Sequence, residues 1–313
     1  MSLSYPESVE VVEVSPRDGL QALGRTISTD DKLTLIGLLA DAGFRTIEVT
    51  SLVRPDAVPE LADADELLAR LPRREGVAYR VLIANRRGAE RAVTAGVDEA
   101  MAVVCCSEQY SLRNQGMTVE QALAEALAGH PILDGAGVGL TVGLGLAFFC
   151  PYEGTMPMHR PLALVDALMA AGVRRMYLST SAGMADPGHV HRLCTAVRAR
   201  HPGIALGLHL HDIDGTALAC ALAGMDAGVE WLEGSICGLG GGVAMPPSLM
   251  DIGNVASEDL VAMLEGMGID TGVDLDALRR AGCAVEELLG IRSRGRFLRV
   301  GTRQDVLREA AQY

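Results

Sequence analysis

Short β-rich apolar runs alternate along the whole chain with longer segments in which apolar positions recur every three or four residues. Eight runs read as strands: residues 9–14, 46–49, 77–83, 99–104, 138–147, 175–178, 204–210 and 231–233. The intervening segments read as helices, at about 29–42, 59–70, 86–95, 118–128, 160–171, 188–200, 214–227 and 257–266. In the first helix Leu33, Ile36, Leu39 and Ala40 share a face. Ser28 or Thr29 can accept its unpaired N–H groups, and Gly43 can end it in the left-handed region. An Ala-Gly pair precedes a strand at Ala42-Gly43, Ala95-Gly96, Ala136-Gly137, Ala171-Gly172 and Ala227-Gly228. Such repetition at helix-to-strand joints points to one supersecondary unit used many times.

Eight alternating strands and helices predict an α/β fold of (β/α)8 TIM-barrel type. A doubly wound sheet is the alternative, but no Gly-x-Gly-x-x-Gly follows the first strand. The length of 313 residues allows two domains. The eight-fold pattern favours one barrel domain over 1–285, with a short C-terminal helical extension over 286–313 packed on it. The arginines of that tail, Arg292, Arg294, Arg296 and Arg299, read as a solvated basic face.

Composition changes the picture in three places. Hydrophobic residues make up 49% of the chain, enough for a large core, so disorder is excluded as the main state. The net charge of −13 argues against a nucleic-acid partner, because phosphate contacts need a basic face. It leaves an anionic small molecule open, since a bound cation and an arginine can make one mouth locally positive. The seven cysteines are odd in number and carry no zinc-finger spacing, which fits a reducing cytoplasm. No signal peptide and no membrane span are expected.

In a TIM barrel, functional groups sit just after the strands. Four groups of residues fall there. Arg17-Asp18 and Gln21 follow the first strand. His209-Leu210-His211-Asp212 ends the seventh, and residues two apart on a strand point the same way, so both imidazoles can meet one ion. His189-Val190-His191 has the same spacing at a helix start, where the two side chains diverge, and reads as structural. Asn254 precedes the eighth helix. Asp18, His209, His211 and Asn254 together make a two-nitrogen, two-oxygen set suited to Mg²⁺ or Mn²⁺, with Zn²⁺ or Co²⁺ also admissible. Gly238-Leu239-Gly240-Gly241-Gly242 follows the eighth strand and reads as a mobile lid. Glu48, on the second strand, can orient Arg17 through a charge-assisted bond.

These segments resemble the 3-hydroxy-3-methylglutaryl-CoA lyase family, within a superfamily of metal-dependent lyases and acyl-condensing synthases. The resemblance runs from about residue 9 to 282. It is carried by Pro16-Arg17-Asp18-Gly19-Leu20-Gln21, Ile47-Glu48-Val49-Thr50-Ser51, Cys150-Pro151-Tyr152-Glu153-Gly154, His209-Leu210-His211-Asp212, Gly238-Leu239-Gly240-Gly241, and Gly253-Asn254 with Glu258-Asp259-Leu260. It implies metal-assisted carbon–carbon cleavage of a 3-hydroxyacyl-CoA or related 3-hydroxy acid. Asp18, His209, His211 and Asn254 would hold the ion, Arg17 would stabilise the enolate oxygen, and His209 would also relay a proton. Gln21, Ser181, Gly240, Gly241 and Gly242 would line the substrate site. The implied partners are a small molecule, a CoA thioester, and further copies of the chain in a dimer or tetramer.

Two departures stand out. The family's loop reads Gly-Leu-Gly-Gly-Cys-Pro-Tyr-Ala and its cysteine is a catalytic thiol; this chain has Gly242 there, followed by Val243-Ala244-Met245. The family's Asp-Thr after strand six is Thr180-Ser181. Cys237 is a substitute thiol or, more simply, a buried structural cysteine. Restoring the thiol with Gly242→Cys is expected to raise cleavage. A condensing transferase of the same superfamily and a non-catalytic metal-binding barrel are the alternative functions.

Overall fold

A computed structural model of the chain describes residues 4–312. Eight parallel strands close into a barrel: β1 (Glu10–Glu13), β2 (Thr46–Ser51), β3 (Ala78–Leu82), β4 (Glu99–Cys105), β5 (Gly139–Gly145), β6 (Arg175–Ser179), β7 (Ala205–His209) and β8 (Trp231–Gly234). Each pairs with its sequence neighbours, and β8 returns to β1 with Glu13 opposite Gly234. The TIM-barrel expectation holds.

Around it lie α1 (Thr29–Asp41), α2 (Ala64–Arg70), α3 (Arg86–Ala95), α4 (Glu108–Gln115), α5 (Val119–Gly135), α6 (His159–Ala170), α7 (Pro187–Arg200), α8 (Ala217–Asp226) and α9 (Ser257–Gly266). Three helices follow: α10 (Leu275–Leu289), α11 (Phe297–Val300) and α12 (Arg303–Ala310). The last two of them lie within the helical extension expected over 286–313. Helix α10 runs unbroken through residue 285, the boundary drawn from sequence. None of the described helices is long and apolar enough to cross a membrane.

Local differences from the sequence reading have physical causes. The helix expected over 59–70 is a short 3-10 turn, Pro59–Leu61, followed by α2. The buried Lys32 ammonium takes the Glu60 carbonyl at 2.7 Å, so that carbonyl does not serve as the acceptor of a continuous helix. The same lysine shifts the buried face of α1 to Lys32, Leu35, Ile36 and Leu39, leaving Leu33 and Ala40 half-buried. Helix α4 went unseen because it lacks an apolar stripe; Ser107 caps it through Tyr110 N, and left-handed Gly116 ends it. His189 packs edge-on against Phe148 while His191 pairs with Asp226 at 3.2 Å, so these two imidazoles do diverge. The four tail arginines are all exposed, as a solvated face requires, and Arg294 in addition spans Asp251, donating to its carbonyl at 2.5 Å and its carboxylate at 2.6 Å.

Two kinds of core divide the barrel. Between strands and helices lies an aliphatic layer that includes Ile47, Val49, Val81, Val142 and Leu208. Inside the strands sit Val12, Val14, Met101, Tyr177 and Trp231, together with charged Glu48, Arg80 and Glu233. Gly143 and Gly207 make room for the aromatics, because a Cβ at either would overlap the ring of Tyr177 or Trp231.

Candidate active site

The chain leaves β1 in a tight five-residue turn, Ser15–Gly19, in which the N–H groups of Arg17 and Asp18 both donate to Val14 O. This turn aims both side chains at the C-terminal mouth of the barrel. Gly19 is required there: a Cβ would stand 2.7 Å from Leu239 Cβ of the glycine-rich loop.

His209 and His211 face each other across the end of β7, with their Nε2 atoms 3.0 Å apart and each 3.9 Å from Asp18 Oδ2. Thr180 fixes the second histidine by accepting from its N–H at 2.8 Å and donating to its carbonyl at 3.2 Å. Beyond β7, His211–Asp212 pairs antiparallel with Gly253–Asn254, setting Asn254 directly opposite His211. Asn254 Nδ2 donates to Asp18 Oδ2 at 2.8 Å and to Leu239 O at 2.9 Å, while its buried Oδ1 has no partner. Gln21 Nε2 donates to Asp18 Oδ1 at 3.1 Å.

Behind these groups runs a ring of buried charge. Arg17 bonds Asp18 at 2.7 Å and Glu48 through Nε. Glu48 and Glu233 lie 2.6 and 2.7 Å from Arg80, and Glu233 accepts from His209 Nδ1 at 2.7 Å. Arg80 and Glu233 were missed from sequence. Their signal was a lone charge within an otherwise apolar strand, Tyr79-Arg80-Val81 and Trp231-Leu232-Glu233.

Burial works against the charged forms of Arg17, Asp18, Arg80, His211 and Glu233. For Asp18, burial is outweighed by Arg17 and the two imidazoles, and the carboxyl is held below the usual range. Glu233 is likewise held down by Arg80 and His209 against its burial. His211 is pushed down to about 4, by burial first and by His209 next, so it is neutral near pH 7 and has a lone pair to offer. Three carboxylates, Asp18, Glu48 and Glu233, share this ring with the guanidinia of Arg17 and Arg80 and with the two imidazoles. Asp18, His209 and His211 form a candidate metal-binding triad, their ligand atoms all within 4.8 Å of one another. The orphaned Asn254 oxygen beside this triad fits a divalent cation.

A cavity of about 1190 Å³ opens above this triad. Arg17, Asp18, Gln21, Ser181, His209, His211, Gly241 and Gly242 reach its wall; Glu48, Asn254 and Gly240 stand behind it. Ser181 Oγ accepts from Leu146 N at 3.0 Å and bonds Ser179 Oγ at 2.8 Å. A Cβ at Gly240 would lie 2.8 Å from Asn254 N and Nδ2, so glycine there lets the loop press against the triad's neighbour. Gly242 has no space for a side chain: a Cβ would meet Leu249 O at 2.5 Å and Met245 Cβ at 2.8 Å. The expectation that cysteine could simply be restored at 242 therefore meets a steric obstacle. Cys237 faces away, its thiol directed at Gly282 O at 3.6 Å and raised by burial, so it supplies nothing to the mouth.

A closed (β/α)8 barrel with a carboxylate and two imidazoles converging at the C-terminal mouth defines a metal-dependent TIM-barrel enzyme. The HMGL-like family model matches residues 8–285. The hydroxymethylglutaryl-CoA lyase YngG of Bacillus subtilis is 36% identical over 288 residues, 92% of this chain and 95% of the relative. A crystal structure of the Bacillus subtilis HMG-CoA lyase superposes with a TM-score of 0.90 at 36% identity, covering 95% of this chain and 98% of that one. The HMG-CoA lyase of Acinetobacter baumannii, in complex with coenzyme A and 3-methylmalate, gives 0.90 at 33% identity over 97% and 98%. The chain belongs to the HMGL-like family of carbon–carbon lyases.

Proposed function

We propose that the protein cleaves a 3-hydroxyacyl-CoA bearing a distal carboxylate, with 3-hydroxy-3-methylglutaryl-CoA the first compound to test. The observation that carries this is the triad of Asp18, His209 and His211 at the mouth, with the unpartnered Oδ1 of Asn254 beside it. These four residues would hold a divalent cation, and the oxygen-and-imidazole set favours Mg²⁺ or Mn²⁺. When bound, such a cation supplies Lewis acidity, acidifying a hydroxyl and polarising a carbonyl.

The chain's own residues do the rest. Glu233 takes the Nδ1 proton of His209, which fixes the tautomer and turns its Nε2 lone pair to the mouth. With that lone pair on a cation His209 has none left for the expected proton relay, so the proton leaving the 3-hydroxyl passes to water in the open cavity. As the C2–C3 bond breaks, its electrons pass to the thioester, whose oxygen becomes negative. Arg17 is preplaced to meet that charge, its guanidinium held by Glu48 and Asp18 so that nothing need reorganise. Gln21, Ser181, Gly241 and Gly242 lie along the cavity where acyl chain and thioester would sit.

The cysteines among the described residues are all unpaired, in keeping with a cytoplasmic protein, and a dimer or tetramer is the assembly to test by light scattering. The deciding experiment is mass spectrometry of products after incubating the Mg²⁺- or Mn²⁺-loaded protein with a panel of 3-hydroxyacyl-CoAs. Release of a carbonyl compound and a shorter acyl-CoA is expected. Free CoA formed only from an acyl-CoA plus a 2-oxo acid would replace this reading with condensation. No turnover by metal-loaded protein in either panel would replace it with a non-catalytic barrel.

A further inference from the structure

A retro-Claisen cleavage leaves a thioester enolate that must gain a proton at carbon. The loop position where the family has its thiol is Gly242, and its Cβ direction is blocked by Leu249 O and Met245. Another acid must therefore face the same space.

Two tyrosines reach this loop from the opposite side of the mouth. Tyr110, in the first turn of α4, donates its hydroxyl to Val243 O at 2.7 Å, one residue past Gly242. Tyr152 donates to Ala244 O at 2.7 Å. Ala244 is held in the left-handed region at φ 51°, a conformation that both contacts brace. The two phenols thus make equivalent bonds to adjacent carbonyls and differ in where they stand. Tyr110 forms part of the cavity wall shared with Asp18, Gly242 and Val243, whereas Tyr152 lies outside that wall with Arg113 stacked on its ring at 4.4 Å.

Resting on the lyase reading above, we propose that the Tyr110 hydroxyl is the acid that returns a proton to the thioester enolate, in the role left vacant at Gly242. The step balances. The 3-hydroxyl proton passes to water in the open cavity as C3=O forms, the C2–C3 electron pair becomes the enolate, and the phenol O–H proton passes to the former C2. The resulting phenolate is reprotonated by water from the open cavity. Burial, with Cys105 and Asp18 adding in the same direction, keeps the proton on Tyr110 until a stronger base arrives. An ester enolate is such a base. Backbone anchoring by Ser107, whose Oγ accepts from Tyr110 N at 3.2 Å and donates to Glu153 at 2.6 Å, fixes the start of α4.

The equivalence of the two tyrosines supplies the control. Tyr110→Phe and Tyr152→Phe each remove one bond to the loop, so a loop-latching role predicts similar losses, mainly in KM. An acid role predicts that only Tyr110→Phe lowers kcat, by about 100-fold or more, with KM little changed. Run backward, the acid is a base, so the enzyme in D₂O should wash deuterium into the methyl group of the product acyl-CoA. Wild type and Tyr152→Phe should exchange, and Tyr110→Phe should not. Placing 3,5-difluorotyrosine at position 110 keeps the ring and lowers the phenol pKa. It should shift the alkaline limb of kcat to lower pH, which a purely structural tyrosine would not do. Mn²⁺ binding followed by electron paramagnetic resonance should be the same in all variants, showing that the triad is intact.

Exchange that persists in Tyr110→Phe, or that is lost in Cys105→Ser with Tyr110 present, would overturn the proposal while leaving the lyase reading in place. Equal kcat losses in Tyr110→Phe and Tyr152→Phe would also overturn it. Absence of both cleavage and exchange in wild type would instead sink the lyase reading itself.

Discussion

The two ends of the barrel hold the same kinds of side chain and use them differently. At the N-terminal floor each carboxylate has donors supplied by the fold. Glu10 accepts from Arg175 at 2.9 Å and from Thr46 at 2.6 Å, Glu99 accepts from Thr141, and Arg175 lies 4.3 Å over the Trp231 ring. At the C-terminal mouth the Asn254 amide oxygen and His211 Nδ1, both beside the triad, lack partners. An acid at the floor is satisfied by the fold alone. The acid at the mouth, Asp18, is also held ionised by its neighbours, but it converges with two imidazoles on a candidate metal-binding triad. The difference separates groups that close the barrel from groups kept ready for a ligand, at a cost in stability.

Arg80 joins the two ends, and its loss should have the largest structural effect. Arg80→Met strands Glu48 and Glu233 in the interior, and should lower unfolding free energy by about 3–5 kcal/mol in denaturant titrations. Only a small loss would show that the ring is not a structural unit. Asp18→Asn should act mainly on function: catalysis should fall about 1000-fold and divalent affinity should drop, with a smaller loss of stability in the metal-free protein than Arg80→Met causes, because Arg17 keeps Glu48. Glu233→Gln should reduce activity or metal affinity about 10–100-fold, because it acts through the orientation of His209. At the floor, Glu10→Gln should cost about 1 kcal/mol or less, its pair with Arg175 being partly open to solvent. Its metal affinity by calorimetry and its kcat should equal wild type. Any loss there would erase the distinction between the ends.

Much of this was legible from residue order. The eight-fold alternation and the Ala-Gly joints were enough for the barrel, because each β/α unit carries its own apolar period and its own helix stop. His209 and His211 were legible because strand geometry puts alternate residues on one face. His189 and His191 were set aside because helix geometry does the reverse. Less visible were contacts between segments far apart in sequence. The pairing of His211–Asp212 with Gly253–Asn254 involves only two residues on each side, too few for a periodic signal. Arg80 and Glu233 became members of the site only when barrel closure turned β3 and β8 toward one axis. Tyr110 was hidden in a helix with no apolar stripe.

The sequence by itself determined the barrel, the candidate ligating residues and the absence of a loop thiol, since each is written in local spacing. Only the tertiary structure decided that three carboxylates and two guanidinia share one buried ring, that Gly242 has no room for the missing side chain, and that Tyr110 rather than Cys237 faces the gap. Those outcomes depend on distances between elements joined by closure of the sheet, and no local period in the chain encodes them.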